Sequence, residues 1–184
     1  MLPRQYKPLP TSASPDVRLK IILAGSMIRS MISHRRAVER IEAAVEARRS
    51  LSHDFVLTAR CENFLWGRAD LDDTIRRLHA FEKAGADVLY APGLHDLGTI
   101  RLVCEAVTKP VNVVMGMPGA TFCVAELAEA GVKRISVGSG LARLAFGTFV
   151  NAAREMRSAG TFHFSDQAVG FAELEGFFTG ATKA

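Results

Sequence analysis

The sequence predicts an α/β fold in which parallel strands are joined by helices. From Phe55 onward, four apolar segments of strand length alternate with segments of helical periodicity, at about 25–30 residues per unit. The apolar segments are continuous, which is typical of strands covered on both faces. Two junctions, "KAGADVLYAPG" and "EAGVKRISVGS", repeat the order helix end, Ala-Gly turn, apolar strand and small-residue loop. Repetition of this kind indicates parallel strands with right-handed crossovers.

The elements before this repeat are less regular. Residues 1–16 are rich in Pro and Ser, and we expect them to be disordered or loosely attached. Residues 21–24 could form a short strand, whereas residues 34–51 carry apolar side chains at helical spacing.

The repeating elements then follow in order. Asp70 suits the N-cap of the first helix of the repeat, and Gly85 suits its end. The predicted strands and helices are "FVLTA", helix 71–85, "ADVLYAPG", helix 96–107, "KPVNVVMG", helix 121–130, "KRISVGSG" and helix 141–158. The tail "FHFSDQAVGFAELEGFF" predicts one more short amphipathic helix.

Composition and charge exclude several classes of protein. The 184 residues, 48% of them hydrophobic, suffice for one sizeable core. The net charge is +4, but the basic excess lies on a helix without interleaved aromatic residues, which favours a solvated face over a nucleic-acid partner. The apolar stretch 17–33 is interrupted by Lys20 and Arg29 and is too short for a membrane span. We also find no secretory signal.

The three cysteines are widely spaced, and no two of them form a CxxC motif. This argues against a disulfide framework or a zinc site and fits a reducing cytoplasm. Cys104 and Cys123 fall within predicted helices, so we expect them in the core. Cys61 follows Arg60, whose charge could lower the thiol pKa.

Two architectures remain open at this point. A closed eight-stranded barrel takes about 250 residues, so four clear units mean either an open doubly wound sheet or an incomplete barrel. We divide the chain into a leader (1–33), a βα domain (34–160) and a helical tail (161–184). In both architectures ligands bind at the carboxyl ends of the strands.

The side chains after each strand are therefore the candidate site residues. Arg60 offers a planar fork that matches a carboxylate or phosphonate. Glu62 could bind a metal through water, act as an acid or base, or hold Arg60 in place; the alternative is an ion pair that only stabilises the loop. Asn112, polar within an apolar strand, could reach a substrate oxygen or make a structural hydrogen bond. For His95 and the "VGSG" turn we favour no specific role.

Several of these motifs together resemble one superfamily. "FVLTARCENFLWGRADLDDTIRRLHAFEKAGADVLYAPGL", followed by "KPVNVVMG" and "AELAEAGVKRISVGSGLARLAFGTF", resembles the isocitrate lyase / phosphoenolpyruvate mutase superfamily. The similarity runs over about residues 36–178 and is closest to the phosphoenolpyruvate mutase-like and carboxyvinyl-carboxyphosphonate phosphorylmutase-like branch. It implies a (β/α)8 barrel, usually tetrameric, with Mg²⁺ at the carboxyl ends of the strands. It also implies cleavage or formation of C–C or P–C bonds beside a carboxylate through an enolate.

The resemblance assigns roles to three residues. Arg60 and Glu62 are the implied catalytic residues, and Arg60 and Asn112 the implied contacts to a small anionic oxo-acid. No organic cofactor is implied.

The amino-terminal part departs from the family. Where the family has a segment like G-S-I-E-D-A-T, this chain has "AGSMIRSMIS", in which Gly25 and Ser26 fit but the acidic pair is absent. We therefore expect only the carboxyl-terminal half of the barrel, a truncated chain without most Mg²⁺ ligands, and impaired lyase or phosphonomutase activity. The alternatives are a non-catalytic half-barrel or an anion-binding α/β module. Open strand edges predict a homo-oligomer in either case.

Overall fold

The strands lie side by side in the order in which they occur in the chain. The computed structural model describes residues 18–23, 33–117, 119 and 121–180. Its strands are β1 (Arg18–Leu23), β2 (Phe55–Arg60), β3 (Val88–Tyr90), β4 (Val111–Val114) and β5 (Arg134–Ser136). Every neighbouring pair is parallel, and the order in the sheet is β1-β2-β3-β4-β5. A doubly wound sheet reverses its strand order at a switch point, whereas this unbroken order is that of an arc of a (β/α)8 barrel.

Helices separate the strands as the periodicity predicts. They are α1 (His34–Arg49), α2 (Leu71–Lys83), α3 (Leu97–Ala106), α4 (Val124–Glu129), α5 (Gly140–Ala159) and α6 (Phe171–Thr179). Short 3-10 turns cover Phe64–Trp66 and His163–Gln167. The predicted helices are confirmed to within three residues at each end, and β1 covers residues 18–23 where a strand over 21–24 is predicted. The rest of the leader lies outside the described residues.

Side-chain caps fix where the helices begin. Asp70 and Asp96 each accept a hydrogen bond from the backbone N–H three residues further on, at 2.8 and 2.7 Å. The predicted N-cap at Asp70 is thus confirmed. The expectation of a core role for Cys123 is wrong, because α4 begins only after this residue. Cys123 is the exposed N-cap of α4 and forms a capping box with Glu126.

One face of the sheet packs against the helices to form the core. The strands contribute Leu57, Ala59, Leu89, Val111 and Val113, all buried, and the helices contribute Ile41, Leu78, Phe81, Ile100, Val103 and Leu127. Complete burial of a side chain of this size stabilises the fold by about 1.5–3 kcal/mol. Because strand side chains alternate between faces, the opposite face of the sheet is left to the residues in between.

The chain divides into two compact units, of which the first ends at Val137 and the second begins at Gly138. In the second unit, the Glu155 carboxylate accepts hydrogen bonds from Thr161 Oγ1 and the His163 backbone N–H, both at 2.7 Å. These bonds hold the 3-10 turn to α5. The predicted tail helix is present as α6. Large apolar side chains of this unit are exposed in the single chain, among them Phe146, Phe149, Phe171 and Phe178.

In the described parts of the chain, no helix combines the length and apolarity that a membrane span requires.

Candidate functional site

A row of polar and aromatic side chains crosses the sheet at one level. Arg60 on β2 pairs in register with Tyr90 on β3, Tyr90 with Asn112 on β4, and Asn112 with Arg134 on β5. Paired residues of neighbouring strands point to the same face. This face, which we call the inner face, is opposite to the helix-packed core. In a (β/α)8 barrel it lines the interior, and its carboxyl-terminal rim carries the active site.

Arg60 is the last residue of β2 and is held from two sides. Its Nε lies 2.8 Å from Glu62 Oε1, and its guanidinium carbon lies 5.2 Å from the centre of the Tyr90 ring, within the range of a cation–π contact. The Nε–H does not point at the carboxylate, so this buried donor makes no hydrogen bond among the described residues. The Arg60 guanidinium is therefore positioned by charge and by the ring, while its hydrogen-bond donors remain available.

Glu62 is buried, and both of its carboxylate oxygens are engaged. Oε1 faces Arg60, and Oε2 accepts a hydrogen bond of 2.7 Å from the indole N–H of Trp66. A carboxylate with only 5% of its surface exposed and with both oxygens occupied is suited to hold a guanidinium in place. Of the three roles considered for Glu62, this geometry favours the positioning of Arg60.

The loop that carries Glu62 is tied to the start of α2. The Asn63 amide N–H₂ donates to Asp73 Oδ2 at 2.9 Å and to Thr74 Oγ1 at 3.1 Å. Asp73 also accepts a hydrogen bond of 2.7 Å from Arg77 Nε and one from Arg76. Burial by itself raises the pKa of the Asp73 carboxyl, but these donors together hold it well below its usual range. From the sequence, Asp73 is only a favourable charge near a helix start.

Asn112 is 1% exposed, and both ends of its amide are satisfied. Its Nδ2 donates to Ser136 Oγ at 3.1 Å, and its Oδ1 accepts a hydrogen bond from Arg134 Nη1. The structural hydrogen bond that sequence reasoning left open is therefore present. It also brings to the inner face a second arginine, Arg134, which sequence reasoning missed.

Tyr90 lies between the two arginines and was also not predicted as a site residue. Burial raises the pKa of its phenol, while the positive charges of Arg60 and Arg134 act in the opposite direction. The sequence pattern that could have identified both residues is the alternation of strand side chains between the two faces of the sheet. Tyr90 and Arg134 each flank an apolar residue of the core face, so each belongs to the opposite face of its strand.

Two buried polar atoms near the row have no hydrogen-bond partner among the described residues. These are Thr58 Oγ1, two residues before Arg60 on the inner face, and Asn63 Oδ1. Unsatisfied buried acceptors are uncommon in native proteins and often coincide with functional sites.

The structure also places His95 and Cys61, for which the sequence provides weaker indications of a function. His95 is exposed. The expectation that Arg60 lowers the pKa of Cys61 is wrong: burial raises the pKa of this thiol. The physical reason is that adjacent strand residues point to opposite faces, so Cys61 packs in the core while Arg60 lies on the inner face.

The described residues show no cluster of metal-ligating side chains. They contain no group of three His, Cys, Asp or Glu side chains that could hold a metal ion. Glu62, whose two oxygens face Arg60 and Trp66, is not free to bind Mg²⁺ directly.

Comparison with known proteins identifies the family. Residues 25–157 match the family model described as phosphoenolpyruvate phosphomutase. The chain therefore belongs to this family, within the phosphoenolpyruvate mutase/isocitrate lyase superfamily, and the resemblance inferred from the motifs is confirmed.

Individual relatives agree with this assignment. The chain is 36% identical over 109 residues to oxaloacetate decarboxylase of Paraburkholderia xenovorans (strain LB400), covering 59% of this chain and 35% of that protein. It is 33% identical over 106 residues to 2-methylisocitrate lyase of Escherichia coli (strain K12), covering 56% and 34%. A crystal structure from Burkholderia cenocepacia J2315, described as a lyase/mutase, superposes with a TM-score of 0.81 at 51% identity, covering 87% and 58%.

The chain thus spans about a third of the length of these curated relatives and 58% of that solved structure. Together with the strand order, this confirms the prediction of a partial (β/α)8 barrel.

Proposed function

We propose that this chain forms the anion-binding wall of an enzyme of its family, which makes or breaks a C–C or P–C bond of a small oxo-acid through an enolate. The observation that carries the proposal is the Arg60 guanidinium at the end of β2, which is fixed by Glu62 and Tyr90 and whose Nε–H makes no hydrogen bond to any described residue. Two relatives, named for oxaloacetate decarboxylation and for 2-methylisocitrate cleavage, support an oxo-acid or related carboxylic acid as substrate.

The roles of the residues follow from their contacts. Arg60 binds the carboxylate or phosphonate through charge-assisted hydrogen bonds and stabilises negative charge that develops on the neighbouring oxygen. Glu62 is a positioning residue, because its carboxylate is occupied by Arg60 and Trp66. Asn112, held by Ser136 and Arg134, presents a fixed amide at the centre of the row.

Mg²⁺ is expected from the family, but Glu62 is not free to bind it directly, and the described residues contain no group of three metal-ligating side chains. Its ligands would come from outside the described ranges. We accordingly expect impaired, weak turnover by this polypeptide alone, and we assign it to a reducing compartment such as the cytoplasm because its cysteines are free.

A second candidate is a non-catalytic half-barrel that binds anions and oligomerises. The described residues contain no group of three metal-ligating side chains, which favours this alternative. The exposed Phe146 and Phe149 side chains of α5, about 70% accessible in the single chain, offer an apolar surface for oligomerisation in either case. Both candidates share the anion site and a homo-oligomer, but only the first requires turnover.

Calorimetry with oxalate, a mimic of the enolate, tests the shared site. We expect oxalate binding by the wild type and a loss of about 10- to 100-fold in affinity in Arg60→Ala, the equivalent of one or two charge-assisted hydrogen bonds. Arg68→Ala is the matched control, since Arg68 is an exposed arginine of the same loop. Equal oxalate affinity in wild type and Arg60→Ala would show that the site assignment is wrong.

Turnover separates the two candidates. Release of pyruvate from oxaloacetate in the presence of Mg²⁺, above the spontaneous rate and reduced in Arg60→Ala, would establish the enzyme. Oxalate binding without turnover of any oxo-acid would favour the non-catalytic module.

A further inference from the structure

Trp66, the single tryptophan of the chain, combines an exposed ring with a polar edge that contacts a buried group. Of its side-chain surface, 48% is accessible to solvent. Its indole N–H nevertheless donates a hydrogen bond of 2.7 Å to Oε2 of Glu62, a buried carboxylate. A tryptophan that leaves so much apolar surface in water gains little from the hydrophobic effect. The contribution of Trp66 therefore lies in where it places the N–H group.

The short turn that carries Trp66 is held in place from two sides. The backbone N–H of Trp66 donates to the backbone carbonyl of Glu62 at 3.2 Å, which closes the turn onto the end of the loop after β2. The loop after β3 lies so close that a Cβ added at Gly93 would be 2.8 Å from the backbone nitrogen of Leu65. The indole therefore approaches the Glu62 carboxylate from a fixed direction.

The hydrogen bond from Trp66 determines how Glu62 meets Arg60. A carboxylate beside a guanidinium can turn both oxygens towards it and form a bidentate pair, which occupies two of the guanidinium donors. Here Oε2 is engaged by Trp66, so Oε1 faces Arg60 alone, 2.8 Å from its Nε. The Nε–H makes no hydrogen bond to any described residue. Glu62 thus fixes Arg60 by charge without forming the bidentate pair that would compete with a bound anion.

We propose that Trp66 is a positioning residue, which holds one oxygen of Glu62 away from Arg60 and thereby keeps guanidinium donors free for the anionic group of the ligand. This inference rests on the proposed function, in which Arg60 binds that group. Without the indole N–H, Oε2 of Glu62 is free to turn towards Arg60 and complete the bidentate pair. An incoming anion would then have to displace this pair, so its affinity would fall.

Because the chain has a single tryptophan, its N–H can be removed without altering any other residue. Benzothienylalanine, in which sulfur replaces the indole N–H, is incorporated in place of tryptophan in an auxotrophic expression strain. Calorimetry with the full chain should then show a loss of oxalate affinity of about 3- to 10-fold, the effect of about one net hydrogen bond. Fluorotryptophan keeps the N–H and is the matched control, with an affinity within about twofold of the wild type. An unchanged affinity in the benzothienylalanine protein would overturn the proposal.

A double-mutant cycle then shows whether Trp66 acts through Glu62. In the wild-type background Trp66→Phe should weaken oxalate binding by about 3- to 10-fold. In the Glu62→Gln background the same substitution should change it by less than about twofold, because a neutral amide cannot form the bidentate ion pair. Equal losses in both backgrounds would mean that Trp66 only supports the loop. Leu65→Ala is the control for the turn, since Leu65 is an exposed apolar neighbour without a donor, and should leave oxalate affinity within about twofold.

The outcomes also separate this inference from the proposed function. If Arg60→Ala leaves oxalate affinity unchanged, the proposed anion site is wrong, and the role of Trp66 is wrong with it. If Arg60→Ala weakens oxalate binding but removal of the indole N–H does not, only the role of Trp66 is wrong. If Trp66→Phe does not fold, the benzothienylalanine protein still decides the matter, because sulfur preserves the shape of the bicyclic ring.

Discussion

Asp73→Asn tests whether the loop behind Arg60 is held by charge. The Asp73 side chain, 15% exposed, accepts hydrogen bonds from Arg77 at 2.7 Å, from Asn63 at 2.9 Å and from Arg76. The substitution keeps the shape of the side chain and one amide oxygen, but it removes the negative charge. It therefore isolates the electrostatic part of this cluster.

The expected loss follows from the individual contacts. A charge-assisted hydrogen bond to a shielded arginine such as Arg77 contributes about 1.5–3 kcal/mol. The pair with Arg76, which is 66% exposed, contributes about 0.3–0.5 kcal/mol. Asn63 can still donate to the new amide oxygen. We therefore expect Asp73→Asn to lower the free energy of unfolding by about 2–3 kcal/mol, and Tm by about 4–12 °C.

Asp72→Asn is the matched control for this measurement. Asp72 lies in the same first turn of α2 and carries the same charge, but its side chain is exposed. Both variants lose the same interaction with the helix dipole, worth about 0.3–1 kcal/mol, so their difference reports the buried cluster. Thermal and urea unfolding followed by circular dichroism provide the measurement. Equal destabilisation by the two substitutions would refute the reasoning.

The pH dependence provides a second check. Because its contacts hold the pKa of Asp73 below the usual range, its stabilising effect is complete above the unfolded-state pKa of about 3.9 and is lost as the pH falls through the folded-state pKa. The difference in free energy of unfolding between wild type and Asp73→Asn should stay constant from about pH 5 to 7 and narrow below about pH 4. A difference that widens towards acidic pH would contradict this sign.

Three further predictions concern other parts of the first unit. Gly93 has φ +94°, and an added Cβ would lie 2.8 Å from the backbone of the 3-10 turn 64–66. An added Cβ at Gly67 would meet no atom, so Gly67→Ala should destabilise the fold by only about 1–2 kcal/mol. Gly93→Ala should therefore be the more destabilising of the two, and equal thermal shifts would contradict this. Asp87 accepts a hydrogen bond of 2.7 Å from a β2 backbone N–H and pairs with an arginine of α1, so Asp87→Ala should cost about 2–4 kcal/mol in urea unfolding. A loss below about 1 kcal/mol would refute it. Iodoacetamide should label the exposed Cys123 well before the buried Cys61, as peptide mass spectrometry can show; early labelling of Cys61 would argue against its place in the core.

Local signals made most of the fold predictable. Each helix has its own apolar periodicity and cap, as Asp70 and Asp96 show, so its existence depends little on the rest of the chain. The choice between a doubly wound sheet and a barrel could not be made in this way, because strand order is a property of pairing between distant segments.

The candidate site was only partly predictable for the same reason. Arg60 and Glu62 stand out because they follow a strand directly. Alternation places Tyr90 and Arg134 on the inner face of their own strands, but their alignment with Arg60 depends on the strand register, which no local pattern encodes. The mistaken expectation for Cys61 arose from proximity along the chain, which in a strand places neighbouring side chains on opposite faces.

The sequential order of the strands also bears on how the chain folds. Each strand pairs with the one that precedes it in the chain, so loop closure for each new pair spans a single crossover. During synthesis, β2 can dock as soon as it emerges, and each later strand finds its partner already in place. In a sheet whose central strands come from opposite ends of the sequence, the first strands would keep both edges unpaired until their partner strands had been synthesised. The strand order that places Arg60 and Arg134 in one row therefore also allows the strands to be added one at a time at the same edge of the sheet.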